Sequence, residues 1–158
     1  MERKIITIGY EIPGYSDSCY YYSSDQSLLD ADIVVFEPEN FDSDSGKPSY
    51  DESYSFDLQE NTRHWHREIS TALEYGKTVF VILRKFQIAT IRTGRKEFKG
   101  TRTINYVEDY SNYKFLPIEI PQIIARGGVE IVFTGHPAFA TFWKEFKKYL
   151  KFESYLDG

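Results

Sequence analysis

The chain has 158 residues, 41% of them hydrophobic and 27% charged, which suits one domain with its own core and excludes wholesale disorder. Its single cysteine, Cys19, excludes an internal disulfide. No apolar run approaches the roughly 20 residues of a membrane span, and the start lacks a signal-peptide pattern, so a cytoplasmic protein is expected.

In chain order, Lys4–Gly9 (KIITIG) is a β-branched run ended by glycine and is expected as a buried first strand. Tyr10–Ser24 holds Pro13, Gly14 and the run Tyr20-Tyr21-Tyr22 and reads as a loop, with a short helix at Asp25–Leu29. Asp32–Phe36 (DIVVF) is the second strand, stopped by Pro38. Residues 39–56 have the Asp, Ser, Tyr, Gly and Pro composition of a long exposed loop, and such loops in compact domains are usually functional or mobile. From Asp57 to Tyr75 the period becomes helical, with Trp65, Ile69, Ala72 and Leu73 as the buried stripe and Gly76 as the stop. Thr78–Leu83 (TVFVIL) is the third strand. Phe86–Tyr110 alternates around Gly94 and Gly100, as an antiparallel hairpin does. A short helix is expected at Pro121–Arg126, a fourth strand over Glu130–Phe133, and a last helix from about Pro137 with Phe139, Phe142, Trp143, Phe146 and Leu150 inward.

Strands alternating with helices predict a single α/β domain over residues 1–158. The expected form is a three-layer, flavodoxin- or Rossmann-like sandwich with a mainly parallel sheet of about four strands and an inserted β-hairpin. In such sheets ligands gather beyond the carboxyl ends of the strands. Those ends place Tyr10, Glu11, Glu37, Glu39, Arg84, Gly135 and His136 as candidates for binding a nucleotide-like ligand. Gly135-His136-Pro137 would open a helix whose free N–H groups can hold an anion, or would simply be a tight turn.

Charge is segregated. Glu37 to Glu60 carries eight acids and one base, and Arg84 to Arg102 carries seven bases and one acid. The acidic loop (39–56) and the basic hairpin (86–110) can attract each other, lie solvated apart, or each serve a protein partner. The net charge of −5 argues against a general nucleic-acid binder.

The stretch Asp30–Leu83, with DADIVVFEP, an acidic loop and HWHREISTALEYGKTVFVIL, resembles in outline a segment of TIR domains and of nucleoside deoxyribosyltransferase-like proteins. The resemblance covers about a third of the chain. Carried over residue by residue, it pairs Trp65 with Glu68 as a tryptophan shortly before a catalytic glutamate. That glutamate would attack or polarise the ribose at its bond to the base. Gly9 and Asp32 stand too close in sequence for the two helices and extra strand that TIR domains place between the corresponding strands.

Independently of that resemblance, His64 lies four residues before Glu68, a spacing at which helical side chains meet. The two form either a candidate base or nucleophile or an ordinary flank pair. His64 and His66 diverge on a helix, so no metal site is expected, and no cofactor motif occurs. The expected function is a binding or interaction domain, as a module of a larger protein or assembly or as a homo-oligomer. The alternative is an enzyme that cleaves or transfers an N-glycosidic bond through Glu68.

Overall fold

The computed structural model describes residues 3–14, 16–41 and 46–118, and the backbone of two short strands, Ile123–Ala125 and Ser154–Leu156. Strands β1 (Ile5–Ile8), β2 (Ser18–Tyr20) and β3 (Ile33–Phe36) lie in one parallel sheet with β4 (Thr78–Val81). The order is β2-β1-β3-β4. Three of these strands are the expected apolar runs. The fourth, β2, falls in the segment that reads as a loop. Among the described strands it pairs with β1 alone, and its middle residue, Cys19, is exposed, so it carries no apolar run to announce it. The expected helix at Asp25–Leu29 is absent, and that segment is irregular chain and turn.

The sheet register sets what faces the helix. Ile6, Ile8, Val34 and Phe36 occupy alternate positions of neighbouring strands and share a core with Trp65, Ile69 and Ala72. The rings pack edge to face, Phe36 on Trp65 at 5.5 Å between centroids. Phe36 also stacks on Phe115 at 4.3 Å.

Helix α1 (Glu52–Glu74) begins well before the expected Asp57. Asp51 caps it, its carboxylate accepting from Tyr54 N at 2.8 Å. The Ser- and Asp-rich first turns read as loop because such side chains compete for backbone hydrogen bonds. Here Ser55 instead donates to Asp51 O at 2.5 Å and accepts from Arg92 N at 3.0 Å. At the other end Gly76 adopts φ +70°, with Gly76 N bonded to Leu73 O and Lys77 N to Ala72 O, as a Schellman stop requires. The buried stripe runs Ser55, Leu58, Thr62, Trp65, Ile69, Ala72, and Leu73 is 47% exposed rather than part of it.

The expected hairpin is present as β5 (Ile88–Lys99) and β6 (Arg102–Ser111), reversing at Gly100 and bulged between Arg92 and Lys96, where Gly94 sits at φ +75°. Its root, Ala89, Ile91 and Tyr110, forms a second core with Phe41 and Leu58. The chain at Pro48–Tyr50 runs beside β5, with Thr90 N bonded to Pro48 O and Tyr50 N to Thr90 O. The 39–56 segment is therefore in part anchored rather than a free loop. Helix α1 is the spine that joins the two cores, Trp65 and Ile69 against the sheet and Leu58 against the hairpin.

Residues 123–125 form β7 (Ile123–Ala125), paired antiparallel with β8 (Ser154–Leu156), in place of the helix expected at Pro121–Arg126. Long-range pairing with β8 overrides the local proline-to-glycine pattern at this β-branched pair, Ile123-Ile124. The expected strand Glu130–Phe133 and the last helix lie outside the described residues. The parallel sheet, its long helix and the antiparallel hairpin make an α/β fold. No described helix is long and apolar enough to cross a membrane.

Candidate functional site

The carboxyl ends of the four parallel strands converge on an open cleft of about 510 Å³. The exit of β1 contributes Gly9, the exit of β2 contributes Tyr21, Tyr22 and Ser23, β3 leads into Glu37, Pro38, Glu39 and Asn40, and the exit of β4 contributes Arg84. The first half of α1 forms the opposite wall with Tyr54, Asp57, Leu58 and Asn61, spaced three and four apart along one helix face.

Local constraints hold these groups in place. Gly9 adopts φ +76°, and a Cβ there would stand 3.3 Å from both the Cβ and the carbonyl oxygen of Glu37, so glycine meets a backbone and a packing demand at once. Glu37, largely buried, accepts from Arg84 Nε at 2.6 Å and from a second nitrogen of the same guanidinium. Arg84 is in turn fixed by Tyr113, whose hydroxyl donates to Arg84 O and accepts from Arg84 N, both at 2.6 Å. Burial pushes the Tyr113 phenol up to about 12. The wall at 40–41 is tied to the hairpin root, Gln87 Nε2 donating to Asn40 Oδ1 at 3.0 Å and Gln87 Oε1 accepting from Phe41 N at 2.9 Å.

Glu39 differs from its neighbours. Its carboxylate makes no hydrogen bond or ion pair among the described residues, and burial raises its pKa above the usual carboxylate value. Its charge bears on the hydroxyls of Tyr22 and Tyr54, whose own pKa values are raised first by burial and further by this carboxylate. Tyr22 is held by its hydroxyl against Thr62 Oγ1 at 2.9 Å and by Trp65 Nε1, which donates to Tyr22 O at 2.6 Å.

The residues picked from the sequence separate. Glu37 lines the cleft, and so do Glu39 and Arg84 from the strand-end set. Tyr10 and Glu11 are exposed beyond β1 and do not line it. Trp65 is fully buried in the core. Glu68 accepts from Leu28 N at 3.0 Å and lies 3.9 Å from Arg67 Nε, away from the cleft lining. His64 makes a contact to Gln26 O at 3.0 Å through Nε2 and one to Arg67 at 3.3 Å through Nδ1. One assignment fits both contacts, a neutral ring with its proton on Nε2. Both side chains thus brace the irregular segment 26–28 and are not paired with each other. Gly135 and His136 lie outside the described residues. Tyr21, Tyr22, Tyr54, Asp57 and Asn61 also line the cleft and are not among the residues expected from the sequence. The tyrosine run is a usable signal in the sequence, whereas Tyr54 precedes the helical period that begins at Asp57 and so carries no local sign of its place on the wall.

Among the described residues no group of His, Cys, Asp and Glu is gathered to hold a metal ion. The chain matches no protein-family model, curated protein or solved structure. The likeness of Asp30–Leu83 to TIR and deoxyribosyltransferase-like proteins therefore rests on its own residues alone.

Proposed function

We propose that this is a ligand-binding domain whose strand-end cleft takes a small, uncharged, ring-bearing polyol of the nucleoside class. The observation behind this is the half-buried Glu39 carboxylate, unpartnered among the described residues, in a cleft built from the ends of four parallel strands. A buried carboxylate without a partner is costly, and hydroxyl or amino donors on a ligand would offset that cost. Tyr21 and Tyr54, both exposed, offer ring faces, and Asn40 and Asn61 offer amides. A phosphate is disfavoured inside the cleft, because among the described lining residues Glu37, Glu39 and Asp57 face one cation, Arg84, already engaged by Glu37. The reading includes a three-layer fold. Its support is that Thr7 and Val35, which alternate away from the α1 face, are buried too.

Calorimetric titration with adenosine, guanosine, cytidine and uridine tests the proposal. Saturable binding by at least one, weakened about tenfold or more by Glu39→Gln, is expected, since losing a charged acceptor costs on the order of 1.5–3 kcal/mol. No binding by any of the four, or binding indifferent to Glu39→Gln, contradicts it. The rival reading, an enzyme using Glu68 on an N-glycosidic bond, draws less support because that carboxylate is engaged with the Leu28 amide. Release of free base from nucleosides or NAD, abolished by Glu68→Gln, would establish it.

A further inference from the structure

The hairpin is much longer than its core requires. Ala89, Ile91 and Tyr110 at its root are buried, but beyond the Arg92–Val107 pair the strands continue through the bulge to the turn at Gly100. In that distal part Phe98 is 76% exposed, and Ile104, on the other face of the ribbon, is exposed as well. Large apolar groups so displayed on a two-stranded arm mark a contact surface.

Its charge indicates what the surface contacts. Residues 93–106 carry four bases, Arg95, Lys96, Lys99 and Arg102, against one acid, Glu97, in a chain that is negative overall. Lys96 is paired with Glu52 at 2.8 Å, and Lys99 lies 3.6 Å from Glu97. That Glu97 carboxylate is shared, because the Tyr106 hydroxyl donates to it at 2.5 Å. Arg102 makes no ion pair among the described residues. The register sets Lys99 directly opposite Arg102, a like-charge cross-strand pair that weakens the hairpin by itself and that an anion lying across it would relieve. Arg95 sits over the Tyr106 ring at 4.9 Å. Strand alternation sets Arg95, Lys99 and Arg102 on one face of the ribbon and Phe98 on the other, so a flexible strand that wraps the narrow arm would meet both.

We propose that this distal hairpin, residues 93–106, is a binding arm for single-stranded nucleic acid. Arg95, Lys99 and Arg102 meet phosphates, and Phe98 is the platform for an unpaired base. An acidic protein segment would satisfy the cations but would leave the Phe98 face without a matching planar group. The overall charge of −5 weighs against a general nucleic-acid binder but not against a local patch, because screening confines each patch to about 8–10 Å, and Arg95 and Arg102 make no ion pair among the described residues while Glu52 and Glu97 engage Lys96 and Lys99.

The test is fluorescence anisotropy of labelled oligothymidine and oligouridine of about a dozen nucleotides, at low and rising salt. Saturable binding is expected. Phe98→Ala should weaken it by roughly 5- to 100-fold, and Arg102→Gln should lower the log–log salt slope by about 0.7. Circular dichroism checks that both variants, placed on an exposed arm, stay folded. Absence of binding at low salt overturns the proposal, as does binding unchanged by both variants. Polyglutamate competing equally well while Phe98→Ala has no effect overturns it too, in favour of an acidic protein partner.

Discussion

Glu39 and Glu68 are both glutamates on the border of a core, and their surroundings give them opposite roles. Glu68 has a backbone donor, Leu28 N, and a nearby guanidinium, so its charge is accommodated where it stands. Removing it with Glu68→Ala orphans that amide and should destabilise the fold by about 1–3 kcal/mol, whereas Glu68→Gln keeps an acceptor and should cost less. Denaturant melts of the two variants check this. Glu39 has no such donor among the described residues, and burial raises its pKa. A carboxyl whose folded pKa is raised costs stability as pH climbs past the ordinary carboxylate value, fully so above the raised one. Glu39→Gln should therefore melt at or above the wild-type temperature at neutral pH, with the difference vanishing in acid. Ligand affinity should move the other way, rising with pH as Glu39 ionises. Tyr113 supplies an alkaline counterpart: its neutral hydroxyl bridges both polar groups of the Arg84 backbone, with its pKa moved from 10.0 to about 12. The stability it lends is present below the ordinary tyrosine value and is lost as pH rises toward about 12, which a pH series of melts would show.

Helix α1 shows where sequence patterning is a good guide and where it is not. Its second half was legible because Trp65, Ile69 and Ala72 recur at helical spacing and Gly76 closes the run in a Schellman turn. Its first half was hidden. Ser53, Ser55 and Asp57 have loop composition, and only the distant Arg92 amide and the Phe41–Tyr110 core make helix the better state there. Strand β2 was hidden for a related reason, being short, polar and paired on one side. The candidate site was half legible in consequence. Glu37, Glu39 and Arg84 follow from the ends of apolar strands, but Tyr21 and Tyr54 belong to the two elements whose extent local pattern does not announce. The cap argument is testable: Asp51→Ala should cost about 1 kcal/mol. It should also loosen the cleft wall at Tyr54, seen as faster amide exchange over the first two turns of α1 and not over the last two.

A helix that serves two cores ties the cleft to both of them. The sheet core holds the strand ends, the hairpin core holds the Phe41 side, and α1 spans between them with its Tyr54-to-Asn61 face on the cleft. Truncating Phe36, which contacts Trp65, Tyr22 and Phe115, should cost about 3–5 kcal/mol as Phe36→Ala, and a single cooperative transition is expected for the described sheet and hairpin. The hairpin's outer half takes no part in either core, so Phe98→Ala should leave the melting temperature nearly unchanged. Binding at the cleft and binding at the arm are therefore separable by mutation. The most direct test of the cleft is a map of amide chemical shifts in the isotope-labelled chain as adenosine or uridine is added. Saturable shifts are expected at Gly9, Tyr21, Glu39, Tyr54 and Asn61, with His64 and Glu68 little affected. Shifts confined to the His64–Glu68 turn of α1, or none at all, would contradict binding at the cleft.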